Sequence, residues 1–226
     1  MLRARHHKMK LRCLCACFGV LTLLLGTSSR VAGHGPKETP DPPRADHPAA
    51  YRGGMVTPPL PKPKFTLTDT SNAPYDLWSS TGGYVTLLFF GYTHCPNECP
   101  LQMFNIASAL DKVPTGVAEQ IKVVFVTTDP TRDSAKVVRS WLDNFDQRFI
   151  GLTGNEAAIE GAERATAIFL AAKAIPVNGD SEVVHAAFVV AYSKDNLAHL
   201  IYPSGTTEED WEHDLPYLVN EDWRSQ

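Results

Sequence analysis

Cysteine is scarce in this 226-residue chain. Of five cysteines, three (Cys13, Cys15 and Cys17) fall within the first seventeen positions. The remainder holds only Cys95 and Cys99, which leaves room for one intramolecular bridge and excludes a disulfide-stapled framework. Long apolar runs are scarce too. The longest, Cys13 to Gly26, is 14 residues, short of the ~20 that a bilayer-spanning helix requires. Positive charge is in deficit, with 21 basic residues against 25 acidic ones. There is no internal repeat.

The N-terminus concentrates what the rest lacks. Arg3, Arg5, Lys8, Lys10 and Arg12 come before the apolar run, and no acid lies among them. A charged segment followed by a short apolar one reads as a signal peptide, with Val31-Ala32-Gly33 as its small-residue cleavage site. The rival reading is an uncleaved membrane anchor over residues 11–28. A mitochondrial presequence fits less well because the apolar block is too continuous. Leu14-Cys15-Ala16-Cys17 is locally like a lipobox, but the apolar run continues past it. The expectation is export, to a periplasm or to an inner membrane facing it.

Residues 1–33 hold six of the 21 basic residues and none of the acids, so their removal leaves 15 against 25, a net charge of −10. So acidic a chain argues against nucleic acid and anionic lipid as partners and suits a partner with a basic face. From His34 to Pro63 come nine of the 17 prolines without apolar periodicity, which predicts a flexible extended arm. Residues 64–222 should then form one compact domain.

Within that domain strand and helix alternate. Phe65 to Asp69 alternates at period two, and Tyr84 to Phe90 is an unbroken run of β-formers, as for a strand buried on both faces. Pro100 occupies the place of a first helical residue, with an apolar stripe of Leu101, Phe104, Ile106, Ala107 and Leu110 behind it. Ile121 to Thr127 is a second buried strand. Ser134, Asn155 and Thr207 stand as helix caps, the second helix running to about Leu170. Ile175 to Val184 reads as a loop or small hairpin, and Ala186–Tyr192 with Leu197–Tyr202 as an antiparallel hairpin. The order predicts an α/β sandwich with a mixed central sheet and flanking helices.

The two remaining cysteines stand together in Gly91-Tyr92-Thr93-His94-Cys95-Pro96-Asn97-Glu98-Cys99-Pro100, at the carboxyl end of the first buried strand, where such sheets place their sites. Three residues separate the sulfurs, so on a helical first turn they share a face and can close on each other or on one soft metal ion. A helix start should also lower a thiol pKa.

The motif Gly91-Tyr92-Thr93-His94-Cys95-Pro96-x-x-Cys99-Pro100, the turn Asp129-Pro130-x-Arg132-Asp133 and His185 before a late strand resemble the Sco/SenC family of thioredoxin-fold copper-binding proteins. The likeness runs from about Phe65 to Val219. One departure is visible: the family has an acid before the histidine, and here the residue is Val184. The resemblance implies a thioredoxin-like domain that binds Cu(I) or Cu(II) through Cys95, Cys99 and His185. It also implies a redox pair that forms a Cys95–Cys99 disulfide. The implied partners are the copper-centre subunit of cytochrome c oxidase or another copper chaperone.

The rival use of the pair is thiol–disulfide exchange, although the spacing has one residue more than Cys-x-x-Cys. A peroxiredoxin would need proline at Leu88 and threonine at Tyr92. Structural zinc would need a fourth ligand. His94 reads as a modulator rather than a ligand, and Met103 as core. Asp129 is read either as a neighbour of the site or as a turn residue satisfied by its own turn. His34, His47, His199 and His213 carry no assigned role.

Overall fold

The computed structural model describes residues 51–166 and 188–223, and the backbone alone of residues 171–172 and 184–185. The first half of the described chain runs through strand β1 (Gly54–Pro61), β2 (Thr66–Asp69), β3 (Pro74–Asp76), the short helix α1 (Leu77–Ser80), β4 (Val85–Gly91) and α2 (Glu98–Lys112). Then come α3 (Thr115–Ala118), β5 (Ile121–Thr127), α4 (Ala135–Leu142), β6 (Ile150–Thr153) and α5 (Glu156–Ala165). The chain closes with β7 (Ala171–Ala172), β8 (Val184–His185), β9 (Val189–Tyr192), β10 (Leu197–Tyr202) and α6 (Glu208–Asn220).

Eight strands form one mixed sheet in the order β1-β10-β9-β4-β5-β6-β2-β3. β4, β5 and β6 pair in parallel, while β9 joins β4 antiparallel. All seven residues of β4 are buried, because helices cover both faces of the sheet. On one face Leu87, Phe89 and Phe125 meet Met103 and Ile106 of α2, Val138 of α4 and Trp211 of α6. On the other, Leu88, Phe90 and Val126 meet Leu77 of α1 and Ile159 of α5. This is the α/β sandwich with a mixed central sheet expected from the order of elements, and it fits the thioredoxin-like fold that the resemblance implies.

The three caps expected from sequence are formed. Ser134 accepts from the Val137 amide, Asn155 from the Ala158 amide, and Thr207 and Asp210 make a reciprocal capping box. Helix α5 ends at Ala165, short of Leu170. Of the segment Ile175 to Val184, residues 175–183 lie outside the described residues; β7 and β8, on either side of them, pair antiparallel.

The proline-rich stretch 34–63 departs from expectation where it is described. Residues 54–61 form β1, paired with the edge of β10, with a register shift between Met55 and Leu60. Three prolines fit there because an edge strand leaves one row of amide positions unpaired. The strand is pinned at both ends. Ahead of it, the amides of Arg52 and Gly53 donate to the buried carboxylate of Asp214, which also accepts from the Tyr202 hydroxyl. Behind it, the buried amine of Lys62 donates to the carbonyl and hydroxyl oxygens of Thr81. Residues 34–50 lie outside the described residues, as does the N-terminal segment. No helix among the described residues is long and apolar enough to cross a membrane.

Candidate functional site

The site begins where β4 leaves the sheet. Gly91 is its last residue, and no larger side chain fits. A Cβ there would lie 3.0 Å from Cys99 Sγ and 2.8 Å from the Phe89 ring. The Gly91 carbonyl accepts the Thr128 amide at 2.7 Å, so the loop after β4 starts against the loop after β5. A turn follows, closed by the Cys95 amide on the Tyr92 carbonyl at 3.2 Å.

Helix α2 starts at Glu98, two residues before Pro100. Proline is tolerated in this first turn because amides there have no intrahelical acceptor. Cys99 is therefore inside the helix, whereas Cys95 precedes its N-cap, Asn97. The sulfurs do not share a helical face as the spacing suggested. They are brought together by the turn, with the free amide of Cys99 donating to Cys95 Sγ at 3.4 Å. Both residues are free thiols.

The two thiols differ in exposure. Cys95 is half-buried, whereas Cys99 is only 2% exposed, within the core cluster. Burial pushes the Cys99 thiol pKa well up, and the hydrogen bond with Cys95 adds to the rise, against the lowering expected of a helix start. Desolvation by the core outweighs the helix terminus here.

A second carboxylate of the turn Asp129-Pro130-x-Arg132-Asp133 organises the loop. Asp133, fully buried, accepts the Thr93 amide at 2.9 Å, the Thr93 hydroxyl at 2.5 Å and the Thr127 hydroxyl at 2.6 Å. Its Oδ1 also lies 3.5 Å from His94 Nδ1, and His94 bonds the Thr93 hydroxyl at 3.2 Å. Asp129, in contrast, is satisfied by its own turn. Burial opposes its ionisation, but bonds from Arg132 and Thr131 hold its carboxyl below the ordinary range. The signal that could have separated the two was the polar pair Thr93 and Thr127 on facing segments, which calls for one buried acceptor.

Of the other candidates, His185 lies in β8, its backbone opposite Ala171; its side chain is outside the described residues. Met103 is buried in the core. His199 and His213 bond the carboxylates of Asp195 and Asp214. His34 and His47 are outside the described residues. No group of three or more metal-ligating side chains occurs among the described residues, a set that excludes the His185 imidazole.

A thioredoxin-like sandwich with a dithiol turn at the end of its central strand defines the class. The model of the SCO1/SenC family matches residues 57–220, and the chain belongs to that family. Among solved structures, it is similar to Bradyrhizobium japonicum ScoI with copper bound, at 29% identity and a TM-score of 0.60, over 70% of this chain and 99% of that one. It is also similar to apo Sco1 from Thermus thermophilus, at 28% identity and a TM-score of 0.65, over 76% and 98%. The mitochondrial SCO1 homolog 1 of Arabidopsis thaliana is 34% identical over 87 residues, 38% of this chain and 26% of that protein. The chain spans less than two thirds of the length of the curated relatives it matches.

Proposed function

We propose that this protein is an exported copper carrier that delivers copper to the binuclear copper centre of cytochrome c oxidase or maintains that centre's thiols. The observation that carries the reading is the pair of free thiols, Cys95 and Cys99, joined by the Cys99 amide at the start of α2. The relative of known structure from Bradyrhizobium, solved with copper bound, supports the same cargo. Soft sulfur ligands suit Cu(I), and an imidazole from His185 as third ligand would let the site take Cu(II) as well. Copper is cargo here, to be released as well as held. The chain's own contribution is a turn fixed by Asp133, which keeps the two sulfurs close before metal arrives.

The difference in burial favours a second use of the pair. A thiolate at the more accessible Cys95 attacks one sulfur of a partner disulfide, giving a mixed disulfide and one partner thiolate. Cys99 then gives up its proton and attacks Cys95 Sγ, forming the Cys95–Cys99 bond and releasing the second partner thiolate. Two electrons pass to the partner. Oxidation removes both thiolate ligands, so the redox state of the pair would gate copper loading.

The reading also includes export. The N-terminal segment would place the domain in the periplasm, or anchor it to a membrane facing that space, with the copper-centre subunit of the oxidase or another copper chaperone as partner. The test is copper retained by the reduced chain after desalting. About one copper per chain, lost in Cys95→Ser and Cys99→Ser, supports the carrier. No retained copper, with rapid dithiol exchange against a model disulfide, makes the protein an oxidoreductase.

A further inference from the structure

Helix α2, which starts just after Cys95, turns one side into the core and leaves the other exposed. Met103, Ile106 and Leu110 are buried. On the outer side Leu101 is 48% exposed and Phe104 55%, the two most exposed large apolar side chains among the described residues. Both belong to the apolar helical stripe of the sequence, yet the structure leaves them exposed. They stand three positions apart, on one helical face, in the first two turns of α2. Pro96, next to Cys95, is exposed as well. Single exposed apolar residues are ordinary; these three lie in the short stretch of chain from Cys95 to the second turn of α2.

The rim of this patch is acidic. Glu98 and Asp111 lie exposed on α2. The segment entering α6 runs along one flank: Ser204 bonds Glu98, Asn105 donates to the Thr206 carbonyl at 2.9 Å, and Lys112 pairs with Glu208. That flank brings up the exposed Glu209. The cations that touch the rim, Lys112 and Arg148, are each held by two carboxylates, so the uncompensated charge is negative.

We propose that the Pro96–Leu101–Phe104 face is the docking surface for a partner protein that presents an apolar side chain ringed by lysine or arginine. It would hold that partner's metal ligands over Cys95. The inference rests on the carrier reading and adds to it the means of choosing a recipient. The apolar centre supplies affinity, while the acidic rim supplies orientation and encounter rate. In the docked pair Cu(I) moves without a change of oxidation state. Its bonds to Cys95 and Cys99 break as bonds to the partner's thiolates form, and the protons those thiols lose pass to the sulfurs left behind.

The test uses the full chain loaded with Cu(I), a small Cu(I) chelator, and the reduced, metal-free copper-centre domain of the same organism's cytochrome c oxidase as recipient. In the Leu101→Ser/Phe104→Ser variant, copper retained per chain and transfer to the chelator should match the wild type. Transfer to the domain should slow about tenfold or more. Raising salt from about 50 to about 500 mM should slow wild-type transfer, and slow it less in Asp111→Asn/Glu209→Gln. Wild-type transfer rates in the double apolar variant would overturn the proposal. A chain that dimerises through Phe104 would overturn it too, since the occupant would then be a second copy. If the wild type retains no copper, the carrier reading fails on its own. Sedimentation of the two metal-free proteins then decides the docking surface: a complex lost in the apolar variant supports it, and no complex overturns it.

Discussion

The Thr93 hydroxyl donates to Asp133 Oδ1 at 2.5 Å, and the Thr93 amide donates to Oδ2 at 2.9 Å, across 40 residues of sequence. Two residues before Cys95, the chain is thus fixed from both backbone and side chain by a carboxylate with no exposure to water. The thiol turn is held by the loop that follows β5 as much as by its own helix.

Asp133→Ala should therefore harm stability and site together. It strands the Thr93 amide and the Thr93 and Thr127 hydroxyls, of which the last is buried, a loss of about 2–4 kcal/mol in denaturant unfolding. Asp133→Asn keeps an acceptor and should lose about half as much. Both should retain copper more weakly than the wild type, in the same order, as measured by competition with a chelator. Unchanged copper affinity in a folded Asp133→Ala would make the anchor purely structural.

The thiols should react in a fixed order. In the folded, reduced protein at pH 7.5, iodoacetamide should modify Cys95 well before Cys99, because Cys99 is buried and its thiol is pushed up by that burial. Mass spectrometry of digests resolves the sites. Denaturant should erase the difference.

Among the proposed ligands, His185→Ala should spare the Cys95–Cys99 disulfide and part of the Cu(I) binding, but lose the Cu(II) charge-transfer absorption. Either serine variant, Cys95→Ser or Cys99→Ser, should lose all of these. Absorption spectra with metal analysis separate the cases, and equal loss throughout in His185→Ala would refute the division of roles.

Lys62 gives a pH dependence. Burial lowers its amine to about 8, so the folded chain gives up a proton that the unfolded chain keeps to about 10.5. Below pH 8 the folded state carries the full cost of a buried ammonium, and stability from this group rises as pH climbs from 8 toward 10.5. Lys62→Met removes the cost, and Thr81 keeps other bonds: its hydroxyl to the Leu77 carbonyl, its carbonyl to the Tyr84 amide. The variant should be more stable than wild type by about 1 kcal/mol at pH 7, with the gain shrinking toward pH 9.5 in thermal unfolding.

At the other end of β1, Asp214→Ala should cost about 2–4 kcal/mol. It should also speed amide exchange at Arg52 and Gly53, whose amides the carboxylate accepts. Protection unchanged at those amides would mean that β1 is held by its pairing with β10 alone.

Much of this was legible in sequence where local chemistry decides. The unbroken β-former run of β4, the caps Ser134, Asn155 and Thr207, and the adjacent cysteines each carry their own signal. What failed was what only packing decides. β1 looked like a tether because proline removes strand donors, yet at a sheet edge those donors are not needed. Leu101 and Phe104 fit a helical stripe by period, but that stripe spans more than the buried arc, and the core takes in only the part with Met103, Ile106 and Leu110. Asp129 and Asp133 look alike in one turn motif, and only the facing threonines select the buried one. Cys95 falls just outside the helix because α2 starts at Glu98 rather than under Cys95.

The most direct test is an anaerobic copper titration of the reduced protein, read by metal analysis after desalting and by sulfur-to-copper absorption. One tightly held copper per chain, lost in Cys95→Ser and Cys99→Ser and weakened in His185→Ala, is the result expected of a carrier built on this turn. A reduced chain that keeps no copper yet exchanges rapidly with a model disulfide would contradict it.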